Sequence, residues 1–330
     1  MSSLPVRSFL AAALAWLALG ANAHAAGQMA TRVKAPAREK KVLTTTVFYE
    51  RPTLDLDIKP DTNEGTKPIE LRPNAPYSIG AGLAWGDYGF SVALPTGQSA
   101  DETRRKGPTK YFHVHLTHDW SSSGVDFSFG QYKGFYVEGE QAAADPSGDS
   151  HAQRPDLFAR QVGLNYYKVV SPERYYLRPD RDGAKYGRGF QWSWLLMAGA
   201  SHLDVDGGAG LMSEKFLKEH NAVQIRSGHF TNAVAGAGWG WQNLLTRTGN
   251  IGMKILYGVG PQHQQFETSS DTVNRTAFTT KLAVTMGGAF ALGWVRLGMD
   301  YYSELMEVNT GKTELKSSAR SIVFYAKRDF

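Results

Sequence analysis

The stretch at 108–136, PTKYFHVHLTHDWSSSGVDFSFGQYKGFY, decides the reading of the chain. Phe112, Val114 and Leu116 fall on one face, with Tyr111, His113, His115 and Thr117 on the other, and a period of two is the signature of a strand. After the polar turn at 119–124, Val125, Phe127 and Phe129 alternate with Asp126, Ser128 and Gly130, so the two runs read as one hairpin. A sandwich in water would bury such an apolar face in a core. Here the pattern recurs down the whole chain, in long Gly-rich strands ending in aromatics, with few helical segments. It predicts an all-β fold: a transmembrane antiparallel β-barrel whose apolar face meets lipid and whose polar face meets the lumen.

Working outward, the chain of 330 residues has 35 glycines, 12% aromatics and no cysteine. A secreted chain without disulfide staples suits a barrel, whose closed ladder satisfies its own backbone groups. Residues 1–26 read as a secretory signal peptide: Arg7 precedes an apolar run from Phe9 to Leu19, and Ala21, Ala23 and Ala25 offer small-x-small cleavage sites. Residues 27–43 lack apolar periodicity and carry Arg32, Lys34, Arg38, Lys40 and Lys41 against Glu39, which predicts a disordered basic periplasmic segment. The barrel is assigned to 44–330. Past the leader no apolar run approaches the roughly 18 residues that suggest a spanning helix. The net charge of +5 is modest and partly carried by the basic segment, and it marks no nucleic-acid partner.

Leu54, Leu56 and Ile58, set against Asp55 and Asp57, form the candidate first strand, and 59–76 is a loop by its Pro, Asn, Asp and Gly content. Tyr77, Ile79, Ala81, Leu83 and Trp85, then Tyr88, Phe90, Val92 and Leu94, make two outward stripes whose inward partners are almost all small, leaving room for large residues from facing strands or for a channel. Polar loops follow at 95–107 and 139–155. Phe158, Val162, Leu164 and Tyr166 face outward, as do Phe190, Trp192, Trp194 and Leu196, the latter in a run from 174 to 202 that 178–188 interrupts with a bulge or bend. A long connection at 203–231 holds the helix-like stretch 214–220. Five more strands fall at 234–245, 251–261, 276–286, 292–303 and 318–330, each near the ~9–11 residues a tilted strand needs to cross a bilayer.

The joints near 86, 120, 171, 248 and 289 read as short, and those near 66, 101, 146, 216, 268 and 310 as long and polar. Short periplasmic turns alternate with long external loops in outer-membrane barrels, so the count gives about 12 strands with both termini periplasmic, in the bacterial outer membrane. The last strand ends in Phe330, with Phe324 and Ile322 in the same frame. Such a terminal aromatic is expected to be the signal read by barrel-assembly machinery. Arg328 occupies the outward frame beside it, a position tolerated at the membrane interface.

With Pro73-Asn74-Ala75-Pro76-Tyr77-Ser78-Ile79-Gly80-Ala81-Gly82 and the run GFSVALP from Gly89, the chain resembles an uncharacterised family of bacterial outer-membrane proteins, number 4421 among the domains of unknown function. Thr109-Lys110-Tyr111-Phe112, Gln131-Tyr132-Lys133-Gly134-Phe135-Tyr136 and Arg154-Pro155-Asp156-Leu157 carry the resemblance further. It implies a membrane barrel and transfers no catalytic residue.

Strand parity places Lys254, Lys281, Arg296 and Asp300 on inward faces. Such lumen charges either pair into a structural network or set the selectivity of a pore, where their positive excess would attract anions. His113 and His115 share one inward face, a spacing that can bind a metal, but with no third ligand in view they read as lumen hydrogen-bonding residues. Asp204-Val205-Asp206-Gly207-Gly208 resembles a fragment of a calcium loop without the downstream Glu, and polar loop chemistry explains it equally well. Gly236, Gly238 and Gly240 alternate with tryptophans in a strand frame with no helix following, so they cradle no phosphate. No nucleophile elbow or base pairing is found, so no catalytic residue, metal or cofactor is assigned. The sequence therefore predicts a small-solute pore or an envelope scaffold in contact with outer-membrane lipid and lipopolysaccharide. The alternative is a membrane-embedded lipid-modifying enzyme, for which Arg160, outward near the external rim, would meet lipopolysaccharide phosphates.

Overall fold

The computed structural model describes residues 43–60, 68–120, 122–141, 151–172, 175, 177, 189–208, 210–212, 217, 224–245, 249–268, 270–292, 294–309 and 313–330. The stretches expected to be a signal peptide (1–26), a basic segment (27–42) and a bulge or bend (178–188) lie outside the described residues. Thirteen described strands follow in order: β1 (Leu43–Pro60), β2 (Ile69–Arg72), β3 (Ser78–Trp85), β4 (Tyr88–Pro95), β5 (Lys110–Asp119), β6 (Ser123–Gln141) and β7 (His151–Val169). Then come β8 (Gly189–Asp206), β9 (Ile225–Leu244), β10 (Gly249–Thr268), β11 (Thr272–Leu292), β12 (Val295–Asn309) and β13 (Thr313–Asp329). A short helix, α1 (Ala100–Lys106), stands between β4 and β5, where the sequence reads as a plain polar loop. Its start is set by Ser99, whose hydroxyl accepts the Glu102 N–H at 3.1 Å.

Every neighbouring pair is antiparallel, and the sheet closes on itself because β13 pairs with β1 from Thr44↔Asp329 to Pro60↔Thr313. Both ends of the described chain therefore meet at one end of the barrel, where the Phe330 N–H donates to the Leu43 carbonyl at 2.8 Å. The ring has two circumferences. At this terminus end β1 pairs with β3, and omitting β2 leaves twelve strands around it. At the opposite, loop end β1 pairs with β2 and β2 with β6, and omitting β3, β4 and β5 leaves ten.

Gly134 is where β6 changes partner from β5 to β2. Its φ of 91° lies in the left-handed region, and a Cβ there would stand 2.2 Å from the Pro108 carbonyl oxygen, so only glycine fits. The register with β7 slips between Lys133 and Phe135, which sets Tyr132 and Phe135 both inward. Thr109 Oγ1 ties the junction by donating to the Gly134 carbonyl at 2.7 Å while accepting the Asn74 N–H at 2.8 Å. Asn74, Thr109 and Gly134, each from a stretch that carries the family resemblance, thus meet where the ring narrows.

Around the terminus end the outward stripes are as the alternation predicts: Ile79, Leu83, Leu196, Ile255 and Phe324 are all exposed. Trp85, Tyr88, Trp120, Trp192 and Trp294 are exposed near the turns and supply the aromatic girdle of a lipid-facing band. Along β8 that band runs from Phe190 to Ala200, then gives way to His202, Asp204 and Asp206. The small inward residues of β3 make room for the neighbouring strand, for Phe48 of β1 lies over Gly80 so closely that a Cβ would overlap its ring.

The loop end inverts the pattern. Leu54, Leu56 and Ile58 point into the barrel, not to lipid, and pack with Leu71, Phe135, Leu157, Leu203, Phe230 and Leu315 in one apolar core. Leu211 and Met212, from the connection after β8, complete it. On the outside of the same segments Arg72 pairs with Asp57 and with Glu70 at 2.7 Å, and Lys316 with Glu307 at 3.2 Å. Solvent is the physical reason: beyond the lipid band the outward face meets water, so the apolar face turns to the interior.

Several joints differ accordingly. Strands β6 to β11 are 18–21 residues long, about twice the expected crossing length, because they continue beyond the band. The joints after β10 and β12, read as long, are spans of three residues, 269–271 and 310–312, and the one after β7, read as short, covers 170–188. The 59–76 loop contains β2, strands occupy parts of 139–155 and 203–231, and of the helix-like 214–220 only Leu217 is described, as helical.

Candidate functional site

Two groups of polar side chains stand out, one inside the band and one outside. Inside, β11 and β12 place Lys281 opposite Met306 and Ala283 opposite Glu304, so Lys281 and Glu304 share the inward face. Lys281 is 1% exposed, its Nζ lies 3.0 Å from Glu304 Oε2, and it donates to Asn165 Oδ1 at 2.8 Å. Gln161 donates to the other Glu304 oxygen at 3.3 Å, and the Tyr302 hydroxyl donates to Glu304 as well. Lys254 is also inward, its ammonium 5.0 Å from the Tyr167 ring centre. Asp126 lies in electrostatic reach of both lysines and 3.6 Å from His115 Nε2. His113 stands 3.5 Å from Glu50, which is buried.

All four predicted lumen charges and both histidines face inward, but they do not form one cluster. Arg296 sits near the terminus rim, 3.8 Å from Asp329, and Asp300 lies over Gly287, where a Cβ would meet its Oδ1 at 2.0 Å. His113 and His115 each face a different carboxylate. A count from four residues also omits Glu50, Asp126 and Glu304. With those carboxylates in place, the positive lysines have acidic partners.

The second group was not recognised from sequence. Leu203 and Val205 of β8 and Phe230 of β9 are core residues, so their alternates His202, Asp204, His229 and Thr231 are on the outward face. Register sets Asp204 opposite His229 and His202 opposite Thr231, while Arg160 of β7 faces Asp204 from the other side. His202 Nε2 and His229 Nδ1 both lie 2.6 Å from the same carboxylate oxygen, Asp204 Oδ1. Arg160 Nε donates to the second oxygen, Oδ2, at 2.8 Å, and its Nη2 donates to the same oxygen. His202 Nδ1 is 2.7 Å from Thr231 Oγ1. This row lies one step past the lipid band, after Ala200 and Ala233.

Burial opposes ionisation of Asp204, but hydrogen bonds from His202 and His229, together with Arg160, outweigh it and hold the carboxyl well below its usual range. The hydrogen bond to Asp204 in turn raises the pKa of His229. The sequence carries the signal as His-x-Asp and His-x-Thr, but only the register across the β8–β9 connection brings the two pairs together. The calcium-loop resemblance is resolved in the same place: Asp204 faces the histidines, and Asp206 Oδ1 accepts the Gly208 N–H at 2.9 Å as a turn former.

A closed antiparallel sheet with an outward apolar band defines a transmembrane β-barrel. The sequence profile of the domain of unknown function DUF4421 matches residues 37–327, and the chain belongs to that family. Comparison with curated proteins finds no match. Among solved structures, the outer membrane protease OmpT of Escherichia coli is 8% identical with a TM-score of 0.40, covering 90% of this chain and 100% of its own. The translocator domain of the autotransporter NalP from Neisseria meningitidis is 11% identical, with a TM-score of 0.35 and coverage of 98% and 99%. The Pseudomonas putida toluene transporter TodX is 8% identical, with a TM-score of 0.28 and coverage of 88% and 90%.

Proposed function

We propose that this protein is a non-conducting scaffold of the bacterial outer membrane, with termini periplasmic and loops external. The observation that carries the reading is the apolar core at the loop end. Leu56, Ile58, Leu71, Leu157 and Leu315 are each fully enclosed there, and Leu211 folds in from the connection above. Arg154 fastens that connection by donating to the carbonyls of Gly207 at 2.7 Å and Gly210 at 2.6 Å. Below the core, Lys281 and Glu304 pair with each other instead of lining an open path. The exposed Phe330 beside Leu43 supports a role as the end presented to assembly machinery, and the band supports contact with lipid and lipopolysaccharide.

Planar-bilayer recording tests this. The purified protein is expected to give no single-channel steps. Anion-selective steps whose reversal potential shifts with Lys281→Glu would instead establish the pore. A lipid-modifying enzyme is the second reading, and the Thr231–His202–Asp204 row on the outer face is what favours it: a hydroxyl, an imidazole and a carboxylate in succession. Release of fatty acid from outer-membrane lipid, abolished by Thr231→Val, would support it.

A further inference from the structure

We propose that His202, Asp204 and His229 bind a divalent transition cation of the zinc class on the outward face of the barrel, at the upper edge of the lipid band. Two imidazole nitrogens and one carboxylate oxygen converge, all within 4.8 Å of one another, and among the described residues this is the one such group of three. Imidazole-rich sets of this kind suit zinc, cobalt or nickel, whereas calcium and magnesium take oxygen donors.

The outer partners fit as well as the donors. A metal-binding histidine holds its second nitrogen to a fixed partner, and a metal-binding carboxylate is itself hydrogen-bonded. His202 presents Nε2 to the site while Nδ1 meets Thr231 Oγ1 at 2.7 Å, and Asp204 presents Oδ1 while Arg160 Nε holds Oδ2 at 2.8 Å. The donors lie on two adjacent strands of fixed register, so the backbone sets their spacing. Around a tetrahedral zinc-class ion with bonds of about 2.0–2.1 Å, donor atoms stand roughly 3.3 Å apart. The His–Asp separations of 2.6 Å need to open by only a fraction of an ångström for an ion to take the place of the two N–H protons. His229 is half-exposed, which gives the ion entry and leaves a fourth position on the solvent side.

The proposal also fixes a tautomer. With the cation on Nε2, His202 carries its proton on Nδ1 and donates to Thr231, whereas the hydrolytic row needs Nδ1 as the acceptor. Metal binding and Thr231 activation by His202 are therefore mutually exclusive.

The test uses the full, untagged barrel in detergent, stripped by chelator and titrated with Co²⁺ while visible absorption is followed, then displaced with Zn²⁺. One equivalent of Co²⁺ per chain is expected, displaced by Zn²⁺ and not by Ca²⁺ or Mg²⁺. Thr231→Val should weaken binding about 10-fold, the lower end for an outer partner. His229→Ala and His229→Gln, at an exposed position, should each weaken it by more than the ~100-fold upper end of that range. His151→Ala, at the start of β7, should change nothing. Absence of stoichiometric Co²⁺ uptake, displacement by Ca²⁺, or wild-type affinity in a heat-modifiable His229 variant would each overturn the proposal.

Discussion

Most strands of this barrel run through both of its halves, yet the two halves are opposite in chemistry. On β1, Val47 and Tyr49 face outward in the band, and eight residues on Asp55 and Asp57 take that face; inward, Glu50 gives way to Leu54, Leu56 and Ile58. On β8 the outward Trp192 and Trp194 are succeeded by His202 and Asp204, and the inward Ser193 by Leu203 and Val205. On β1 and β8 the ladder runs unbroken through the change. What changes is the solvent: lipid favours apolar atoms outside and leaves polar groups to satisfy one another inside, whereas water reverses both. One chain thus joins a membrane barrel to a water-soluble barrel end to end, and the cation site proposed above sits on the seam.

The largest effect expected from breaking this arrangement is at the buried pair inside the band. Lys281→Met leaves Glu304 without its cation, and losing one partner of a buried pair costs about 3–5 kcal/mol. The double variant Lys281→Met with Glu304→Leu should recover most of that loss. Equilibrium unfolding of the folded barrel measures both, and a single variant as stable as the wild type would show that the pair is not enclosed. In the other half Leu203→Ala should cost about 2–5 kcal/mol, as for a large-to-small change in a core. Leu282→Ala, on the lipid face, should cost less; the reverse order would mean that the loop end is not a packed core. Gly134→Ala comes next, at about 1–3 kcal/mol for a strained left-handed residue, before any displacement of Pro108 is added.

The band was legible because its signal is local: a period of two, with aromatics near the turns, is enough to place Phe112, Leu116, Trp192 and Trp194 outward. Inward parity is read from the same local alternation, at Lys254, Lys281, Arg296, Asp300, His113 and His115. The inversion was not legible, because Leu54-Asp55-Leu56-Asp57-Ile58 shows the same alternation whichever side water is on. Strand ends were lost where polar residues fill the outward face, as with His263, Gln265 and Glu267 of β10, which resemble loop composition. The lumen partners of Lys281 come from β7 and β12, 116 residues away in the case of Asn165. The outward histidine pair needed a register that no local pattern supplies.

The smallest effect tests the comparison most directly, because it sets one lysine against another. Lys316 lies outside the loop end with Glu307 at 3.2 Å and Glu314 at 3.3 Å, and its side chain is 39% exposed. Partial burial works against its charge, but the two carboxylates outweigh that and raise its pKa. A raised lysine pKa contributes stability below the unfolded value of about 10.4, and the contribution is lost as pH rises through the folded value. Exposed pairs contribute only about 0–1 kcal/mol, so Lys316→Ala should cost no more than that. Salt separates it from Lys281. Screening lengths fall from about 10 Å at 0.1 M to about 3 Å at 1 M, which should erase the cost at Lys316 while leaving the cost at Lys281 unchanged, since an enclosed pair is screened far less. Equal sensitivity to salt at the two positions would place both lysines in water, and the lower lumen would then be an open aqueous path rather than the interior of a closed barrel.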